Sequence, residues 1–244
     1  MMEKQKSIYG MSDKRPARSS IPMVNYALIA VNVLVFLAGT AAAGGGMTGE
    51  MLYARGALYA PLILKGQGFY RLLTAVFLHA DPAHLVNNMI VQLAAGTILE
   101  KRIGHIRYAV VYVLSGLAGN LVSVGADWMS GSYGYSVGAS GAVFGVLGAL
   151  IFLITRMTVR SLRRQKHSSV WYQGGGAGSG DRAGRKYRSL LLRTGIMTAY
   201  LVYSGWSNPV INQAAHIGGL VCGFILCAVL MMTRPDVDLN ELLQ

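Results

Sequence analysis

Charged residues are scarce in this chain. Asp, Glu, Lys and Arg make up only 13% of its 244 residues, whereas 53% of the residues are hydrophobic. A soluble domain averages about 25% charged residues. The 31 glycines are roughly twice the ordinary share, as expected where helices pack closely in lipid. The composition therefore predicts a membrane protein surrounded by the lipid bilayer.

Acidic residues and cysteines are the scarcest chemistry-bearing groups. None of the ten acids lies near the middle of an apolar segment. This excludes an aspartyl dyad within the membrane and leaves a Ser-His-Asp triad without an obvious third member. The HExxH zinc pattern is absent. Cys222 and Cys227, five apart in one apolar run, cannot form a secreted disulfide framework and are interpreted as small packing residues.

Apolar segments recur along the chain and predict an all-α membrane protein with six transmembrane helices. The predicted helices cover about 24–43, 83–99, 108–126, 140–155, 190–206 and 214–232. The long first loop, 44–83, is rich in aromatic and apolar residues, which indicates a structured element in the membrane interface. The membrane domain is expected to cover 21–235. A disordered tail at 1–20, a flexible basic linker at 156–188 and a short tail at 236–244 complete the organisation.

Lys and Arg are distributed very unevenly between the two predicted sides of the membrane. All but three of the 22 fall in the N-terminal tail, the turn at 101–107, the segment 156–193 or at Arg234; the exceptions are Arg55, Lys65 and Arg71. The positive-inside rule then places both termini in the cytoplasm. The net charge of +12 is therefore explained by topology, and no nucleic-acid partner is expected.

The segment 138–145 reads GASGAVFG and places one serine at the start of an apolar helix. Gly141, Gly145 and Gly148 fall on one face of that helix, along which another backbone could approach closely. Ser140 lies in the first turn, where backbone N–H groups without partners suit a developing oxyanion. The alternative is a packing seam in which the serine only replaces a glycine.

Three further polar residues lie near the outer ends of predicted helices. His84 and Asn88 are four residues apart and share a helix face, and His216 lies just inside the sixth helix, followed by Gly219 and Gly223 on the same face. A lone histidine could simply bond a neighbouring carbonyl. The second and fourth apolar segments are short, and short, glycine-interrupted segments point to a water-filled membrane site. With acids excluded, the pattern predicts a Ser-His dyad.

Several of these residues together resemble the rhomboid family of intramembrane serine proteases. The matching motifs are Tyr70-Arg71, His79, His84-x-x-x-Asn88, Glu100-x-Arg102, Gly138-x-Ser140-Gly141 and Ala215-His216-x-x-Gly219-x-x-x-Gly223. They extend over about residues 24–233 in the family's order. The chain departs from the family pattern at Phe144, where many relatives have tyrosine, at Tyr70 in place of a common tryptophan, and in its longer 156–188 linker.

The resemblance implies a rhomboid-like bundle and an endopeptidase that cleaves single-pass transmembrane proteins. It implies Ser140 as nucleophile and His216 as base, with His84, Asn88 and Gly138 at the oxyanion site. Cleavage would use water admitted from the extracytoplasmic side, with no cofactor and no metal. His79 is expected to anchor the first loop to the second helix. Glu100 and Arg102 are expected to form an ion pair at the cytoplasmic turn.

Other functions remain open for the same cavity. An inactive rhomboid-like binding protein or chaperone would not need both Ser140 and His216. A transporter would more often contain inverted repeats, which are not evident in the sequence. A zinc site formed by His79, His84 and His216 would lack the usual carboxylate or thiolate ligand.

Overall fold

The computed structural model describes residues 21–171, 180–206 and 212–232. Within these ranges the protein is almost entirely helical, and the helices are α1 (Met23–Ala43), α2 (Gly49–Ala54), α3 (Ala60–Leu64), α4 (Arg71–Thr74), α5 (Pro82–Ile103), α6 (His105–Ser130), α7 (Ser140–Trp171), α8 (Gly180–Trp206) and α9 (Gln213–Met232). A 3-10 turn, Ala75–Phe77, follows α4. Four helices, α1, α6, α7 and α9, are long and apolar enough to cross a bilayer. The chain is therefore an all-α, multi-pass membrane protein.

Each of the six predicted transmembrane segments corresponds to a long helix, although the boundaries differ. The helix at Ser140 was expected to end near residue 155 and continues to Trp171, and the next begins at Gly180 instead of about 190. Both helices thus extend into the predicted linker at 156–188. The predicted tails at 1–20 and 236–244, and most of the linker's glycine-rich centre, lie outside the described residues.

Helix α5 begins at Pro82, one residue before the predicted start. Asp81 is its N-cap, and its carboxylate accepts a hydrogen bond of 2.8 Å from the His84 N–H. Pro82 occupies the first helical position, where its missing N–H removes no helix bond. The cap therefore fixes the start of the helix that carries His84 and Asn88.

The first loop is folded into short elements rather than extended over the surface. Strand β1 (Leu58–Tyr59) pairs antiparallel with β2 (Tyr135–Ser136), with Leu58 opposite Ser136. Arg71 is buried and donates hydrogen bonds of 2.7 and 2.9 Å to the carbonyl oxygens of Tyr53 and Ala57. The loop between α1 and α5 is thereby connected to the segment just before Ser140.

A glycine seam allows α7 and α9 to pack backbone to backbone. A Cβ atom on Gly219 would collide with the Gly141 carbonyl oxygen, and one on Gly223 would collide with that of Gly145. Helix α6 joins the seam, because a Cβ on Gly119 would lie 2.6 Å from the Ala215 carbonyl oxygen. The predicted glycine stripe after Ser140 therefore faces the stripe that follows His216.

Glu100 connects the end of α5 to the start of α1. Its buried carboxylate accepts hydrogen bonds from the N–H groups of Val24 (3.0 Å) and Asn25 (2.7 Å) and contacts His105 Nδ1. A carboxylate at a helix N-terminus satisfies free N–H donors and interacts favourably with the helix dipole. Glu100 thus caps α1 from the end of α5.

Candidate active site

The backbone that leads to Ser140 is fixed on both sides of Gly138. The Gly138 N–H donates to the Ala75 carbonyl oxygen at 2.9 Å, and its φ of +129° is a conformation that other residues rarely adopt. A Cβ at this position would lie 2.7 Å from the His84 imidazole. Glycine is therefore required by the backbone conformation and by the close approach of α5.

Ser140 is the first residue of α7 and is partly exposed. The Val143 N–H, which donates to the Ala139 carbonyl oxygen at 2.9 Å, begins the helical ladder. The N–H groups of Ser140, Gly141 and Ala142 consequently have no acceptor within the helix. These donors surround the serine with positive partial charge, which suits an anion formed beside its Oγ.

His216 lies on α9, the helix that packs against α7. Its imidazole stacks on the ring of Phe144, with 4.2 Å between centroids and 13° between planes. Phe144 follows Ser140 by four residues and shares its helix face, so the stack places the imidazole on the side of α7 that carries the serine. His216 is only 7% exposed.

Ser140 and His216 do not form a hydrogen bond in the described part of the chain. Nδ1 of His216 is also buried without a hydrogen-bond partner there, as expected if no acid completes a triad. Catalytic hydrogen bonds are often long or poorly aligned before substrate binds. Ser140 and His216 therefore lie on adjacent helices, with the His216 ring held by its stack on Phe144. They are not a preformed hydrogen-bonded pair.

His79 connects the first loop to Asn88 on α5 and to Ala139, the residue before Ser140. Its fully buried ring accepts a hydrogen bond from Asn88 Nδ2 at 3.1 Å, and the Ala139 N–H lies 3.5 Å from the same nitrogen, Nε2. Burial lowers the pKa of His79 to about 3, so the ring is neutral at physiological pH. Because both neighbouring groups are donors, Nε2 is the acceptor and Nδ1 carries the proton. His79 thus occupies the anchoring position expected from the sequence.

The structure brings the predicted site residues into one region. The imidazoles of His79 and His84 are 5.1 Å apart, and Gly138 faces the His84 ring with Asn88 Nδ2 just beyond it. In the ranges that the structure covers, no three His, Cys, Asp or Glu side chains are grouped closely enough to hold a metal ion. The three-histidine zinc site weighed from the sequence therefore has no matching cluster among these residues.

Sequence reasoning missed two contributors. The sequence places Gly119 within the apolar helix predicted at 108–126 without distinguishing it, yet this glycine allows the close approach to Ala215. Asn212 is the N-cap of α9, because its Oδ1 accepts a 3.0 Å hydrogen bond from the Ala215 N–H. An asparagine immediately before an apolar helical run is an N-cap signal, so the second residue could have been identified from the sequence.

Comparison with known proteins gives a consistent family. A family model of the Rhomboid domain matches residues 66–233. RHOMBOID-like protein 5 of Arabidopsis thaliana is 35% identical over 74% of this chain and 50% of its own length. Rhomboid protease GluP of Bacillus subtilis is 30% identical over 91% of this chain and 38% of its own length. The chain thus spans half or less of the length of these relatives.

A third relative, also from Bacillus subtilis, is matched over more of its own length. The Putative rhomboid protease YdcA of Bacillus subtilis is 29% identical over 65% of each chain. The matched domain includes every residue of the candidate site, from His79 on the loop before α5 to His216 on α9. With a domain match over more than half of its residues, this chain belongs to the rhomboid family.

Proposed function

We propose that this protein is an intramembrane serine endopeptidase that uses Ser140 and His216 as a catalytic dyad. The observation that carries the proposal is the stack of His216 on Phe144, one helical turn along α7 from Ser140. An imidazole held one helical turn from a serine at a free helix N-terminus supports the assignment of His216 as base and Ser140 as nucleophile. Relatives named as proteases, including Rhomboid protease GluP, support the same activity.

In the proposed reaction, Ser140 Oγ attacks the carbonyl carbon of the scissile peptide bond while His216 takes the hydroxyl proton. Because His216 Nδ1 is buried without a partner, Nε2 is the nitrogen assigned to this transfer. The tetrahedral intermediate then collapses, the C–N bond breaks, and His216 returns the proton to the leaving amine. Water activated by the same imidazole hydrolyses the acyl-enzyme ester and regenerates the serine.

The oxyanion would be held by the N–H of Ser140 together with Asn88 and His84. An amide has two N–H donors, and Asn88 uses one of them on His79. The second remains available for the developing charge. Removing one oxyanion donor from a protease typically lowers kcat by about 100- to 1000-fold, which sets the scale of the expected effect.

The proposed substrates are single-pass transmembrane proteins, cleaved within or next to the bilayer. We place both termini in the cytoplasm and the site on the extracytoplasmic side, since all but three of the 22 Lys and Arg residues fall on the opposite side. The partly exposed Ser140, at the end of α7 nearest β2, is compatible with access from that side.

The proposal is tested by labelling detergent-purified protein with a fluorophosphonate probe and by incubating it with a model transmembrane substrate. We expect Ser140→Ala to abolish labelling and cleavage, and His216→Ala to reduce both strongly. Ser204→Ala, at an exposed serine on α8, is the matched control and should behave as wild type. Labelling of Ser140→Ala at the wild-type level would exclude the dyad. A folded protein that binds the substrate without cleaving it would instead indicate the binding or chaperone function.

A further inference from the structure

We propose that Asn212 is a positioning residue that aligns His216 with Ser140. This inference rests on the proposed function, because it assigns the residue that holds base and nucleophile in register. Asn212 contacts three separate parts of the protein: its own helix α9, the neighbouring helix α6, and strand β2 in the segment before the serine. No other amide side chain in the described ranges is recorded with partners on three elements.

The first contact fixes the start of α9. Asn212 Oδ1 accepts a hydrogen bond from the Ala215 N–H, and the Asn212 carbonyl oxygen accepts one of 3.3 Å from the His216 N–H. The N-cap Asn212 and the backbone of His216 are therefore joined within one hydrogen-bonded turn. Any displacement of Asn212 moves the His216 backbone with it.

The second and third contacts use the two N–H groups of the amide. Asn212 Nδ2 donates to Ser123 Oγ on α6 and, at 2.9 Å, to Ser136 Oγ on β2. A side-chain amide has two donor hydrogens and one acceptor oxygen, so both N–H groups and the oxygen of Asn212 take part in hydrogen bonds. Asn212 is partly buried, and a shift of any one of its three partners would break a hydrogen bond of this side chain.

Ser136 gives these contacts their consequence for catalysis. It lies two residues before Gly138, whose N–H is fixed by Ala75, and four before Ser140. The backbone from β2 to the nucleophile is therefore held at Ser136 by the same side chain that caps the helix of the base. A relative displacement of about 1 Å between reacting groups can lower the rate on the order of 100-fold. A residue that limits displacement between Ser140 and His216 would therefore have a large effect on kcat.

Three substitutions separate capping from alignment. Asn, Asp and Ser are comparable N-cap residues, but serine is too short to reach Ser123 and Ser136 from this position. Asn212→Ser therefore keeps the cap and removes the connections between elements. Asn212→Asp keeps both, because its carboxylate can accept hydrogen bonds from the two hydroxyls and suits a helix N-terminus. Ser136→Ala removes only the contact with β2.

The measurements are kcat and KM on a transmembrane model substrate, the melting temperature, and amide hydrogen exchange, all in one detergent. We expect Asn212→Ser and Ser136→Ala to lower kcat by roughly 10- to 100-fold with KM within about twofold of wild type. Asn212→Asp should restore most of kcat. Exchange should rise over residues 134–140 in Asn212→Ser while the α9 amides stay protected.

Wild-type kcat and wild-type exchange over 134–140 in Asn212→Ser would overturn the proposal, as would a loss that Asn212→Asp does not repair. Should Asn212→Ser fail to fold, Ser136→Ala decides alone: wild-type kcat and wild-type exchange over 134–140 overturn the connection, and a lower kcat at unchanged KM supports it. If the wild-type protein neither cleaves the substrate nor reacts with the probe at Ser140, the proposed protease function fails. Exchange over 134–140 still decides in that case whether Asn212 holds the segment before Ser140.

Discussion

Gly219 on α9 lies directly against the carbonyl oxygen of Gly141 on α7, the residue that follows Ser140. The contact leaves no room for a methyl group, because a Cβ on Gly219 would overlap that oxygen. At this point the two helices that carry the proposed nucleophile and base therefore meet backbone to backbone, one residue from Ser140.

Gly219→Ala should lower both the melting temperature and turnover, because α7 and α9 must separate to admit the methyl group. Gly195→Ala on α8 is the matched control, since nothing lies within 4 Å of a Cβ there and alanine favours a helix over glycine by up to about 1 kcal/mol. Melting temperature and kcat should be measured for both variants in one detergent. A Gly219→Ala protein with wild-type kcat would show that helix spacing does not control the reaction.

Asn88→Ala should reduce turnover far more than stability. A hydrogen bond between membrane helices averages only about 0.6 kcal/mol, whereas loss of one oxyanion donor can lower kcat by about 100- to 1000-fold; redundancy with His84 would make the effect smaller. Asn120→Ala is the control, because Asn120 is similarly buried and donates one 2.8 Å hydrogen bond to the Leu72 carbonyl oxygen. Both variants should melt within a few degrees of wild type, and only Asn88→Ala should lose turnover.

The hydrogen bond between Asn88 and His79 defines the result that would contradict the oxyanion assignment. If Asn88 serves only to anchor the loop through His79, Asn88→Ala should melt clearly below Asn120→Ala. Its remaining folded fraction should then cleave at the normal rate. That combination would remove Asn88 from the oxyanion site.

Much of the helical architecture could be predicted from the sequence, because lipid requires apolar segments: each of the six predicted segments corresponds to a helix, and four of these helices are long and apolar enough to cross a bilayer. Hydropathy could not locate the end of α7 or the start of α8, since the apolar pattern stops at Arg156 while the backbone stays helical to Trp171. Buried Thr158 on α7 and Tyr187 on α8 show that packed surface continues past that arginine. Apolar patterns report contact with lipid, whereas helix length also depends on such packing.

The site could be predicted from residue types but not its internal contacts. Ser140, His216, His84 and Asn88 follow from spacing and family resemblance. The pairing of β1 with β2 involves two residues on each strand, which is too short for a sequence pattern to indicate. Glu100 shows the same limit, because its partners on α1 lie about 75 residues away in the chain.

Phe144 should be required for its ring and not for a hydroxyl group. Aromatic stacking contributes about 0.5–1.5 kcal/mol beyond buried area, equivalent to roughly 2- to 13-fold in rate if it orients His216 in the transition state. Phe144→Leu should therefore lower kcat by about that factor, while Phe144→Tyr, which keeps the ring, should stay within about threefold of wild type. The measurement is kcat and KM on the same transmembrane substrate.

A second aromatic pair in the same helix interface provides the control for Phe144. Phe152 on α7 meets Phe224 on α9 edge to face, with centroids 5.3 Å apart. Phe152→Leu removes a comparable contact without touching His216, so it should affect melting temperature and leave kcat unchanged. Equal loss of kcat in Phe144→Leu and Phe152→Leu would mean that interface packing, not imidazole orientation, limits the rate.

The topology proposal is tested by reporters inserted at four positions along the chain. The pairing of β1 with β2 joins the loop after α1 to the segment after α6, so both lie on one side of the membrane. Glycines in these two segments, Gly46 and Gly134, are exposed and have nothing within 4 Å of a Cβ, which makes them suitable insertion points. Reporters at both should read as extracytoplasmic, and reporters at Gly176 or after Gln244 as cytoplasmic, because Lys and Arg concentrate on that side. An extracytoplasmic signal at Gly176 would contradict the six-crossing arrangement and the side to which the active site is proposed to open.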